Sequence, residues 1–154
     1  MTRYELFRLL HIVGAIAWLG SGIGLAVLNR QLLRAQEHVA LVAIGRSSQA
    51  LGTRLFMPAA LVTVAFGVAL VATEESYRFT DLWILIGFGG IVASGVAQMA
   101  VAEPAGKRYL ALADEHGTDH PELNPVARRA AFGNVLDVGL LLVVVLAMVV
   151  KPTL

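Results

Sequence analysis

The stretch Leu10-His11-Ile12-Val13-Gly14-Ala15-Ile16-Ala17-Trp18-Leu19-Gly20-Ser21-Gly22-Ile23-Gly24 lies in a run that is almost wholly apolar from Leu9 to Leu28. A helix of about 20 apolar residues crosses a bilayer, and this run reaches that length with one ionisable group, His11, near one end. An ionisable side chain in hydrocarbon is costly and marks a functional position by default. Arg3 and Arg8 stand at the start, as in a signal peptide. The apolar core, however, outruns the roughly 7–15 residues of such a leader. The run reads as a retained membrane helix.

Composition points the same way. Of 154 residues, 57% are hydrophobic and 15% are charged, whereas a soluble domain carries about 25% charged residues. The net charge of +1 gives no reason to expect nucleic acid, and the absence of Cys excludes disulfides, thiolate metal sites and cysteine nucleophiles. No phosphate loop, serine triad or paired glycosidase carboxylates is visible, so nothing points to the chemistry of a soluble enzyme.

Four spans follow from the apolar pattern, at about residues 4–29, 55–72, 82–102 and 126–150. Pro58 is tolerable near a helix start. Thr80 or Asp81 suits an N-cap, and Asn124 before Pro125 suits another. Glu103-Pro104 and Lys151-Pro152 read as stops, because the residue before proline avoids helical angles. Residues 30–54 mix Leu32, Leu33, Val39, Leu41, Val42 and Ile44 with polar groups, and read as helix lying partly on the membrane surface. Residues 104–124 read as a short helix around 107–115 and then a polar loop. The expected fold is all-α: a single transmembrane domain over 1–154, an up-down four-helix bundle in contact with the lipid bilayer. Lys and Arg number eight on the first and third connections and four on the other side, which places both termini outside.

Lipid offers no hydrophobic drive between helices, so interfaces should be built from small residues. Gly20 and Gly24, with Ala17 and Ser21 beside them, form such a face on the first helix. Ala59-Thr63-Gly67, Gly90-Ser94-Gln98, Gly89-Ala93-Ala97, Gly133 and Gly139 serve the others. The Gly20/Gly24 face also suits a homodimer or a larger membrane-protein partner.

The chemistry-bearing groups are few. His11 lies about two turns into the first helix, where a neutral imidazole can ligate a haem iron or a copper ion, or simply bond a carbonyl or interfacial water. Met148 falls at a similar depth on the fourth helix and could complete a His/Met pair, or merely pack. Trp18 sits mid-span, as core or as a surface for a flat cofactor. Asp137 lies inside the fourth helix and needs a donor or a bundle-facing orientation. Depth counting gives it Gln98 and Ser21 as neighbours, with Asn134 one turn away and Arg54 reaching up. That cluster reads as a polar staple, a proton or cation step, or a snorkelling carboxylate. Trp83, Tyr77 and Phe79 read as an interfacial aromatic belt. His116 and His120 have metal-ligand spacing only on a helix, which Gly117 and Pro121 oppose. His38 has no partner that the sequence names.

The motif Leu10-His11-Ile12 with Trp18 seven residues after the histidine, then a small-residue run, resembles the first helix of the HemJ-type protoporphyrinogen oxidases and the copper-resistance D (CopD) family. The whole chain, with its four-span layout and its ending Met148-Val149-Val150-Lys151-Pro152, more closely resembles a bacterial domain-of-unknown-function family of integral membrane proteins. The resemblance implies a small multi-pass protein of the bacterial plasma (inner) membrane, with haem b held through His11. Only His11 carries over. The HemJ-type proteins also use His and Lys residues of later helices, which the cores of helices two to four lack here. Three roles are therefore expected to compete: a haem-binding or redox protein, a cofactor-free scaffold subunit working through its small-residue faces, and a small transporter using Asp137.

Overall fold

The structure is a computed structural model that describes residues 1–152, apart from the side chain of Gln49. Helix α1 spans Arg3–Arg34, α2 His38–Leu51, α3 Met57–Thr73, α4 Leu82–Ala97, α5 Glu103–His116 and α6 Leu123–Val150. The described residues contain no strand. Four helical stretches are long and apolar enough to cross a membrane: Arg3–Arg34, Gly52–Thr73, Leu82–His116 and Leu123–Val150. Large apolar side chains stand exposed along them, among them Ile12, Val13, Ile16, Leu61, Val92, Val96, Leu146 and Val149. Soluble monomers do not display so wide an apolar surface, and it suits a lipid solvent.

Helix α1 begins with a capping box that the apolar pattern did not reveal. The Thr2 hydroxyl accepts from the Glu5 N–H at 3.2 Å, and the Glu5 carboxylate accepts from the Thr2 N–H at 2.8 Å. The helix ends at Gln36, whose φ of 57° lets its own N–H and that of Glu37 turn back onto the carbonyls of Leu33 and Leu32.

Proline does not stop the third span where the sequence suggested. The helix runs through Glu103-Pro104 because a π turn, Gln98–Ala102, precedes it, and the Glu103 N–H bonds the Gln98 carbonyl. Proline has no N–H to give, and its ring collides with the carbonyl four residues back. A widened turn just before the ring relieves both problems. The same device, Gly52–Phe56 with the Met57 N–H on the Gly52 carbonyl, precedes Pro58. Two connections expected to be partly irregular or surface-bound are therefore helical continuations: α2 leads straight into α3, and α4 into α5. At the start of α6 the N-cap is Glu122, so Asn124 already lies inside the helix. Asp81 does occupy the N-cap of α4, but its carboxylate accepts from the Arg78 N–H.

These continuations build a second packed layer at one end of the bundle. Leu41, Tyr109, Ala113, Leu123 and Ala127 are buried there, with Leu32, Leu33, Val42, Leu110 and Val126 against them. At its 32 residues α1 is about 48 Å long, longer than the ~30 Å hydrocarbon layer, so one apolar span and this extra layer fit on the same helices. His38, without a partner in the sequence, is joined to the Tyr109 hydroxyl at 2.9 Å. Exposed ion pairs surround the layer, including Lys107–Glu103 at 2.6 Å and Arg46–Asp114. They contribute little. The start of α1 and the end of α6 lie at the opposite end of the bundle, where Lys151 meets Tyr77 of the α3–α4 connection.

Candidate functional site

Within the spans the helices associate in two pairs. Helix α1 packs along α3 and α4 along α6; α1 also meets α6, but no comparable packing joins α3 to α4. Between the pairs, at the end that holds the start of α1 and the end of α6, lies a cavity of about 670 Å³. One stripe of α1 lines it, Tyr4, Arg8, His11, Ala15 and Leu19, facing Thr63 and Gly67 of α3, Ile84, Gly87 and Ile91 of α4, and Val145 and Met148 of α6. A smaller cavity of about 40 Å³ shares His11, Thr63 and Met148 and adds Trp18, Leu141 and Val144. The three side chains singled out as cofactor ligands or walls, His11, Trp18 and Met148, thus line a common space.

His11 is held from behind. Its Nδ1 lies 2.7 Å from the Thr63 carbonyl oxygen. A carbonyl can only accept, so Nδ1 carries a proton, and in the neutral ring the lone pair then lies on Nε2. The ring rests on Gly67, where an added Cβ would lie 3.1 Å from the ring Cε1 and 3.2 Å from Nδ1. One turn deeper, Gly14 brings α1 against α3 so closely that a Cβ would sit 2.7 Å from the Thr63 hydroxyl oxygen. That hydroxyl is itself satisfied by the Ala59 carbonyl at 2.7 Å. The small row Ala59-Thr63-Gly67 was legible as packing; its role as the seat of His11 was not. Met148 is placed against Gly87, where a Cβ would lie 3.7 Å from its methyl group.

The polar cluster expected around Asp137 takes another form. Its carboxylate accepts a hydrogen bond from Ser94, across the α4–α6 seam. Among the described residues no hydrogen bond joins Asp137 to Gln98, Asn134, Ser21 or Arg54. Gln98 and Arg54 both fall in the π turns, are exposed, and so point away from the seam. Ser94 is 2% exposed, and depth counting passed over it because Gln98 is the more conspicuous polar residue on the same row. Ser94→Ala leaves the Asp137 carboxylate without its donor and is expected to cost about 1–3 kcal/mol. Thermal unfolding in detergent measures this, with Asp137→Asn, which can still bond Ser94, as the milder variant.

Gly20 and Gly24 are exposed and meet no other helix of this chain, since a Cβ at either has no heavy atom within 4 Å. The close approaches of the first helix are made at Gly14 instead. The rings of His116 and His120 lie 4.7 Å apart, but His116 ends α5 and His120 lies in the turn beyond it. Tyr77 and Trp83 pack edge to face at 5.1 Å, at the outer rim of the cavity.

No curated protein and no solved structure matches the chain. A family model does, over residues 5–152, and its description is "Predicted integral membrane protein (DUF2269)". Four apolar helices with no strand, matched over nearly the whole chain, agree with that description: the chain belongs to the DUF2269 family of integral membrane proteins.

Proposed function

We propose that this protein is a haem-binding membrane bundle, with His11 as an axial ligand in the cleft between its two helix pairs. The observation that carries the reading is the committed Nδ1–H of His11. Metal-ligating histidines characteristically donate their second ring N–H to a carbonyl or carboxylate, which fixes the ring and raises the basicity of the ligating nitrogen. Thr63 supplies that carbonyl.

The donor set favours haem over a bare ion. A structural zinc site needs four protein ligands, and a catalytic one three. Among the described residues no three His, Cys, Asp or Glu side chains converge to hold an ion. Haem brings its own four nitrogens and asks the protein for one or two axial ligands. His11 and the Met148 thioether line the same cavity, whose volume falls in the range of about 300–1,000 Å³ usual for small-molecule sites. Its walls are otherwise mainly aliphatic, and Trp18 offers a flat surface in the inner recess. Bound haem supplies one-electron redox chemistry; the chain orients it, excludes water and presents the ligands. The motif Leu10-His11-Ile12 with Trp18, which resembles the first helix of CopD and HemJ-type proteins, supports the same histidine; the charge bias supports both termini outside, and the bacterial inner-membrane setting rests on the resemblance alone. Asp137 lines neither of these two cavities. Gly24, with open space around it, and Gly20, exposed along the cavity lining, keep the scaffold reading as the second one.

Titration of hemin into the detergent-purified protein tests this reading. We expect saturable uptake of about one haem per chain with a sharp Soret band. Met148→Leu should retain the haem but move it toward the high-spin spectrum. A titration indistinguishable from that of empty micelles overturns the proposal.

A further inference from the structure

We infer that Arg8 and Lys151 form a carboxylate clamp at the mouth of the cleft, and that they select a tetrapyrrole by its propionates. The inference rests on the haem reading above. Arg8 stands three residues before His11 on α1, and Lys151 three residues after Met148 at the end of α6. Residues three apart on a helix share a face, which sets Arg8 one turn from His11, and Lys151 follows directly on α6 in the left-handed conformation, three residues beyond Met148. All four line the cavity.

The two cations stand at the rim of an otherwise mainly apolar space. Among the described residues neither forms a salt bridge. Three carboxylates at this end bond to other groups: Glu5 accepts from the Thr2 N–H, Glu74 from the Ser76 hydroxyl and Asp81 from the Arg78 N–H; Glu75, exposed in the same connection, pairs with neither cation. Lys151 is held in place by uncharged aromatic partners. Its Nζ donates to the Tyr77 hydroxyl at 2.6 Å and lies 4.6 Å and 5.4 Å from the Tyr77 and Trp83 ring centres. An ammonium has three donors, so that contact leaves capacity for a ligand oxygen. A mainly aliphatic cavity with two cations at its mouth, neither in a salt bridge among the described residues, is complementary to a ligand with a flat apolar body and carboxylates along one edge. Charge-assisted bonds of this kind are about twice as strong as neutral ones.

Parallel titrations with hemin and with hemin dimethyl ester, whose propionates are uncharged, test the clamp in the full-length protein in neutral detergent. The parent is expected to bind hemin about tenfold more tightly than the ester, with a preference that shrinks at high salt. The double variant Arg8→Gln/Lys151→Gln should take up both with the same Soret spectrum and no preference. A parent that does not prefer hemin, or a double variant that keeps the preference, overturns the clamp and leaves the haem reading standing. A parent that takes up neither compound overturns both.

Discussion

Gly67→Val is expected to abolish haem uptake as completely as His11→Ala, although residue 67 carries no ligand atom. A Cβ there falls 3.1 Å from Cε1 of His11, and the branched carbons of valine reach further into the space of the ring. The imidazole must leave its seat and with it the Thr63 carbonyl, 2.7 Å from Nδ1. The Nδ1 proton is then no longer fixed, and the Nε2 lone pair loses its direction. Overpacking of this kind costs about 1–3 kcal/mol, so the bundle should persist. Gly67→Ala, which asks the ring to yield only a few tenths of an ångström, is expected to weaken uptake about tenfold. Gly24→Val, with open space around it, should change nothing. Soret absorbance per chain, with circular dichroism and size exclusion to verify the fold, distinguishes these outcomes. Retained colour in Gly67→Val would show that the seat does not govern the ligand.

The second large effect is structural. A Cβ at Gly133 would sit 2.8 Å from both the backbone nitrogen and the Cβ of Ala102. Ala102 closes the π turn Gln98–Ala102, which carries the third span past Pro104. It is backbone that would have to move, and that backbone is already committed to relieving the proline. Gly133→Ala should therefore cost about 1–3 kcal/mol, and Gly133→Leu should prevent recovery of folded protein from the membrane. Gly139, on the same helix and with no neighbour within 4 Å of an added Cβ, is the control: Gly139→Leu should unfold at the parent temperature. Thermal unfolding in detergent, followed by circular dichroism, measures both. Equal stability of the Gly133 and Gly139 variants would contradict the proposed close packing at the π turn.

The fold class was legible because hydrocarbon imposes a simple grammar: about 20 apolar residues per span, with small residues where helices touch. What the pattern missed was local. Glu103-Pro104 reads as a stop because a regular α-helix cannot accommodate proline, and nothing in the letters announces the π turn that can. Gly20 and Gly24 look like the packing face of α1 because they are four apart. The contact is instead made at Gly14, a single glycine in the same stretch, opposite Thr63. Spacing cannot say which of several glycines meets a neighbour; the direction in which the partner helix lies decides it.

The candidate residues were legible one by one, but the groups that support them were not. His11, Trp18 and Met148 stand out as an ionisable group, a large aromatic and a sulfur in apolar runs, and depth counting brings two of them level. Thr63 contributes a backbone carbonyl, which every residue has, so no sequence signal marks it. Asp137 was visible, yet its partner Ser94 was hidden by the larger polar side chain of Gln98, which the π turn carries to an exposed position. Arg8 and Lys151 counted as charges against the orientation rule. Their placement at the cavity mouth gives them a second use.

The most direct measurement is the reduced-minus-oxidised absorption spectrum of the protein purified in mild detergent from haem-replete membranes, beside His11→Ala. The account predicts a haem b difference spectrum in the parent that is absent from a His11→Ala protein of equal helicity. A colourless parent, or a His11→Ala variant with an unchanged spectrum, would contradict it.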